Sequence, residues 1–85
     1  MPVISRFFGI TIAILYRDHD PPHFHAIYGD QEVMVRIHDG QVMGRFPPRA
    51  LGLVSEWLML HRDEILANWE RARAREPLAP IAPLT

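Results

Sequence analysis

The sequence predicts an α+β domain, an antiparallel meander of four to five strands packed on one long C-terminal helix. Three observations point there. Apolar and polar residues alternate through most of the first 46 positions, the signature of half-buried strands. Glycine-containing turn sequences punctuate that stretch at Gly9, Gly29 and Asp39-Gly40. From Arg49 to about Arg75 apolar residues recur at helical spacing, with no breaker except Gly52. Residues 1–76 read as a single domain and 77–85 as a proline-rich extended tail.

The elements follow in order. Met1 to Phe8 reads as a short first strand ended by Gly9. Ile10 to Arg17 alternates cleanly, with Ile10, Ile12, Ile14 and Tyr16 on one side. Pro21-Pro22 stiffens a corner. His23–Tyr28 and Val33–His38 follow as strands joined by a Gly29-Asp30-Gln31-Glu32 turn, and Asp39-Gly40 reads as a two-residue hairpin leading into Gln41–Phe46. Pro47-Pro48 ends the last strand, and Pro48 suits the first turn of a helix. Leu51, Val54, Leu58, Ile65, Trp69 and Ala72 form the stripe that should cover the sheet, beside a second stripe of Leu53, Trp57 and Leu60. Asp63 is placed to cap a second helix, which predicts a kink near Arg62-Asp63. In the tail, Leu78, Ile81 and Leu84 recur every three residues, the period of polyproline II. That edge can lie along Trp57 and Leu60 or dock on a partner.

Strand parity divides the sheet. One face collects Phe24, Ala26, Tyr28, Val33, Val35, Ile37, Val42 and Phe46. The other collects His23, His25, Ile27, Met34, Arg36, His38, Gln41, Met43 and Arg45. Pairing Tyr28 with Val33 sets His25 opposite Arg36 and His23 opposite His38; a two-residue slip changes these pairs but keeps the faces. The histidine face is expected to be wet, opposite the side the helix covers.

Composition narrows the function classes. With 85 residues and 48% apolar content, the chain can bury a core without staples. It has no cysteine, which excludes disulfides, thiolate metal sites and cysteine nucleophiles. No apolar run approaches the roughly 18 residues that span a bilayer, and no signal peptide is evident, so the expected location is the cytoplasm, away from membranes. The net charge is −1, which argues against bulk electrostatic binding of nucleic acid. All nine cationic side chains are arginine, whose planar fork suits phosphate and carboxylate.

The densest chemistry lies in Asp18-His19-Asp20-Pro21-Pro22-His23-Phe24-His25. His23 and His25 share one side of a strand and can chelate a metal. His19 on the corner, with Asp18 or Asp20 and His38, can complete a shell suited to a divalent transition ion. Without a metal, His23 and His25 can act as general base and acid, with His38 and Arg36 as further catalytic candidates and arginines holding a phosphodiester. The wider binding surface would be Arg17, Asp18, His19, Asp20, His23, His25, Arg36, His38 and Arg45. Alternatively, the two aspartates cap the turn and the histidines are ordinary residues of a polar sheet face. A partner would dock on Trp57, Leu60, Leu78, Ile81 and Leu84, and a free edge strand would permit a homodimer by sheet extension.

Several stretches resemble the bacterial domain of unknown function 4160. They are the opening Met1-Pro2-Val3-Ile4-Ser5-Arg6-Phe7-Phe8-Gly9-Ile10, the Asp18–Gly29 segment, Pro48-Arg49-Ala50-Leu51, Glu56–Glu70 and Glu76-Pro77-Leu78. The resemblance implies a small cytoplasmic prokaryotic protein, often encoded beside a member of another small family, the domain of unknown function 2442. Its implied role is that of an interaction protein, one half of a toxin–antitoxin-like two-component module with a nearby-encoded small protein as partner. The alternative is a hydrolase, a ribonuclease acting on RNA, that uses the His19, His23 and His25 cluster with or without a metal.

Overall fold

The computed structural model describes residues 2–85. Five strands form one antiparallel meander in the order β1 (Val3–Phe7), β2 (Ile10–Ala13), β3 (His23–Tyr28), β4 (Gln31–Arg36) and β5 (Val42–Gly44), followed by α1 (Pro48–Arg73). The α+β architecture read from the sequence is the one observed. Among the described residues, no helix is long and apolar enough to cross a membrane.

Turn chemistry sets the register. Phe7 pairs with Ile10 across a two-residue turn in which Phe8 and Gly9 both have positive φ, 49° and 80°. That is the type I′ pattern, whose twist suits a hairpin. Tyr28 pairs with Gln31 across Gly29-Asp30, with Gly29 at φ 62°. The turn is thus two residues shorter than expected, and the pairing slips by two. His25 faces Met34 and His23 faces Arg36, in place of Arg36 and His38. The β4–β5 connection departs in the other direction. Gly40 donates to the Arg36 carbonyl (2.8 Å) and Arg36 to that of Gln41 (2.9 Å), closing a four-residue loop where a two-residue hairpin was expected. Ile37 explains the difference. Its N–H bonds the Pro22 carbonyl (3.0 Å) and its side chain is fully buried, so it cannot be spent on a tight turn.

A bulge between Val3 and Ser5 lets Ile4 and Ser5 both turn inward. The core then gathers Ile4, Phe7, Ile10, Ile12, Ile14, Phe24, Val33, Val35 and Ile37 from the sheet side. From the helix come Val54, Trp57, Leu58, Ile65 and Trp69. Trp57 is the hub, with ring centroids 5.5 Å from Phe7 and 5.7 Å from Phe24.

The helix breaks at His61 (φ −129°, ψ 20°), one residue before the expected kink. The His61 ring bonds Glu64 through Nδ1 (2.6 Å), and Arg62 donates to the Ile37 carbonyl (2.9 Å). The first bond steadies the kink from within the helix, and the second ties it to the end of β4. Its end is closed by Arg75 at φ 59°, with Glu76 donating to the Arg71 carbonyl (2.8 Å) and Arg75 to that of Ala72 (3.1 Å). This is a Schellman closure with arginine where glycine is usual.

The tail returns into the core. Asn68, fully buried, clamps Ala79 from both sides, donating to its carbonyl and accepting from its N–H, each at 2.8 Å. Trp57 Nε1 donates to the Ala82 carbonyl (2.9 Å), and Ile81 donates to the Ile4 carbonyl on the bulged edge of β1 (2.8 Å). Trp57, Ile81 and Leu84 are therefore buried within the chain and are not a surface for a partner. Leu78 is half-buried against the same core, while Leu60 stays 64% exposed. Of the expected docking strip, only Leu60 remains open.

Candidate functional site: a histidine–carboxylate cluster

Alternation along β3 carries His23 and His25 to the same side, as expected. They are not wet, which corrects the sequence reading: His23 is 4% and His25 6% exposed. The His23 ring packs 5.2 Å from Trp69 of the helix and 5.3 Å from the His25 ring. The β2–β3 connection closes over them through Asp18. Its Oδ2 lies 2.9 Å from Nε2 of both histidines.

Each ring is also held from its other edge. His23 Nδ1 is 2.8 Å from the Pro21 carbonyl, which can only accept, so that nitrogen carries a proton. His25 Nδ1 is 2.9 Å from Glu32 Oε2. Burial works to raise the Asp18 carboxyl, but hydrogen bonds from His25 and His23 and their charge outweigh it and hold it below the usual carboxylate range. The carboxylate therefore stays ionised beside two imidazoles, in a corner from which water is mostly removed.

Glu32 escaped the sequence reading because of the two-residue slip. In the expected register it was a turn residue. In the observed one it is in β4, opposite Ile27 and diagonal to His25 on the same face.

The other expected site residues are dispersed. The His19 side chain is 92% exposed, and its Nδ1 lies 3.8 Å from Asp18 Oδ1. The Asp20 carboxylate accepts from Arg73 (2.6 Å), beyond the cis Asp20-Pro21 bond. Arg36 is committed to Asp39, donating through Nε (2.8 Å) and through its terminal nitrogen. His38 is exposed in the β4–β5 loop, and Arg45 is exposed beyond β5. Neither joins the cluster. Beside the cluster runs an open cleft lined by Tyr16, Arg17, Asp18, His19, Asp20, Arg73 and Arg75, which brings Arg17 together with two arginines from the distant helix end.

The opposite end of the sheet has a second concavity, lined by Phe8, Ile10, Tyr28, Pro47, Arg49, Ala50 and Leu53. Phe8 is 59% and Tyr28 40% exposed.

A family model, Domain of unknown function (DUF4160), matches residues 9–70, which span the cluster, the helix kink and most of α1. The chain belongs to that family. No curated protein and no solved structure matches it. The matched span holds all the members of the cluster, Asp18, His23, His25 and Glu32, and ends before the docked tail.

Proposed function

We propose that this DUF4160 domain is an interaction module, one half of a toxin–antitoxin-like pair, and that it grips its partner at the Phe8–Tyr28–Leu53 groove. Phe8 carries the reading. It occupies a turn position at φ 49°, where Asn or Gly is favoured and a bulky side chain is strained. Its ring nevertheless stands mostly in solvent, so little packing in the monomer compensates for the strain. Strained, exposed aromatic residues gather at binding sites. Arg49 on the groove wall selects an acidic residue in the partner, and Tyr28, Pro47 and Leu53 supply an apolar floor. The partner is thus a small protein offering an apolar anchor next to a carboxylate. The β5 edge extends the surface, since the outer edge of β1 is bonded to the tail at Ile4.

Co-expression with the product of the adjacent gene tests this. A one-to-one complex is expected, and Phe8→Asn should weaken it at least tenfold with the fold intact. An unaltered complex, or none in the parent protein, overturns the reading.

The cleft supports a second reading, hydrolysis of an anionic substrate such as RNA. Arg17, Arg73 and Arg75 would hold phosphate beside Asp18, with His25 and His23 as acid and base. His23→Gln and His25→Gln should then abolish cleavage of single-stranded RNA by the purified protein. Equal cleavage by parent and variants would dismiss it.

A further inference from the structure

We propose that Asp18, His23 and His25 bind one divalent first-row transition ion, with zinc as the reference case. The proposal stands independently of either reading of the function.

Geometry comes first. One ligand atom from each residue lies within 4.8 Å of the others, and both Nε2 atoms stand 2.9 Å from Asp18 Oδ2. Bonds of about 2.0–2.2 Å to nitrogen and oxygen place tetrahedral ligands roughly 3.3 Å apart, so an ion needs the two Nε2–Oδ2 contacts to open by a few tenths of an ångström and the two Nε2 atoms, within 4.8 Å of each other, to settle near the same spacing. The two imidazoles sit on alternate residues of a central strand, and β3 is paired on both sides. Such a platform is more precise than a loop.

Hydrogen-bond bookkeeping is the second, independent argument. His23 donates from Nδ1 to Pro21, so in the neutral ring Nε2 presents a lone pair to the Asp18 carboxylate. His25 has a carboxylate oxygen at each ring nitrogen, so its neutral form must point one lone pair at an acceptor. The His23 conflict lies at Asp18 Oδ2 and the His25 conflict at Asp18 or Glu32; a cation that accepts both Nε2 lone pairs and the carboxylate removes them, as a second proton on each ring also does. The outer partners are then those that metal-bound histidines usually keep. His25 Nδ1 donates to Glu32 and His23 Nδ1 to a backbone carbonyl, which fixes tautomer and ring angle.

Donor type selects the ion. Two nitrogens and one carboxylate, with no sulfur, suit zinc, iron, cobalt or nickel in the divalent state, and do not suit calcium or magnesium. Three protein ligands leave a position open, and Asp18, 14% exposed on the cleft wall, marks the side from which solvent or a ligand enters.

The test is calorimetric titration of untagged, chelator-treated protein with zinc chloride, followed by cobalt chloride with visible spectroscopy. One zinc per chain is expected, with d–d bands for cobalt in a low-coordinate site and no heat from magnesium chloride. Asp18→Asn should weaken zinc at least 100-fold, and Glu32→Gln about 10-fold, because it loses the carboxylate that orients His25 through Nδ1. His19→Gln and His38→Gln should change nothing. His23→Gln and His25→Gln are read only after circular dichroism shows the parent fold, since both sites are buried. Stoichiometry below a tenth, equal weakening by His19→Gln, or indifference to Asp18→Asn would each overturn the proposal. In that case the positive charge between the rings and Asp18 is supplied by protons alone.

Discussion

The two ends of β3 invert the usual rule of burial in opposite senses. At its start, His23 and His25 are hidden with Asp18 and held by four polar contacts. At its end, roughly 17 Å away by strand rise, Phe8 and Tyr28 are exposed around an apolar groove. Polar groups inside and large apolar groups outside are the informative exceptions in a soluble domain. The first end keeps its polar groups because every ring nitrogen has a partner, and the second keeps its aromatics exposed although the fold does not need them. One end is therefore expected to be intolerant of substitution in the free protein, and the other tolerant.

Asp18→Ala should break this contrast most severely. It leaves two buried imidazoles each without a hydrogen-bond partner, and each such loss costs about 1–3 kcal/mol. Asp18 is slightly open to solvent, which lets water replace part of what is lost, so a total of about 3 kcal/mol is expected. Urea denaturation in a chelating buffer should show the midpoint falling with unchanged slope. A loss under about 1 kcal/mol would mean that the cluster does not help hold the loop to the sheet.

Much of the contrast was legible in the residues. Alternation put His23 and His25 on one side, and helical spacing placed Val54, Leu58, Ile65 and Trp69 over the core. Asp63 signalled a kink close to where it falls, and the helical spacing ran to about Arg75, close to the observed end at Arg73. Register was not legible, because Gly29-Asp30 and Gly29 through Glu32 are both acceptable turns and a slip of two preserves every face. That slip concealed Glu32 and produced the wrong partners for both histidines. Burial of His23 and His25 was hidden for another reason. It depends on a loop residue, Asp18, and a helix residue, Trp69, converging on one strand end, and no local pattern encodes that. The tail had a local signal, Asn68 within an apolar stripe, whose meaning emerges only once Ala79 supplies both of its bonds.

At the tolerant end, Phe8→Asn should sharpen the comparison by moving stability the other way. A left-handed conformation costs an ordinary residue about 1–2 kcal/mol, and Asn-Gly is a favoured pair for a type I′ turn. Since the Phe8 ring is mostly exposed, little packing is lost, and the variant should gain about 1 kcal/mol in thermal or urea unfolding. A gain in stability with a loss of partner would mark Phe8 as retained for binding. A destabilised Phe8→Asn would instead make the ring a structural part of the groove.

The smallest effect should come from Asp39, which removes burial from the comparison. Like Asp18 it is an aspartate hydrogen-bonded to a basic side chain, but it stands half-exposed in the β4–β5 loop. Its hydrogen bond from Arg36, followed by that from the Gln41 N–H, holds its carboxyl well below the usual carboxylate range. A lowered folded-state value means that the contribution is complete above the unfolded value, near 3.9, and is lost as pH falls through the folded one. The stability gap between the parent protein and Asp39→Asn should be constant above about pH 5 and close steadily below about pH 4. It should also shrink in high salt, because an exposed pair is screened where a buried one is not. If the gap is flat from pH 6 to pH 3, the Arg36–Asp39 pair does not steady the loop, and the loop geometry rests on Gly40 and Ile37 alone.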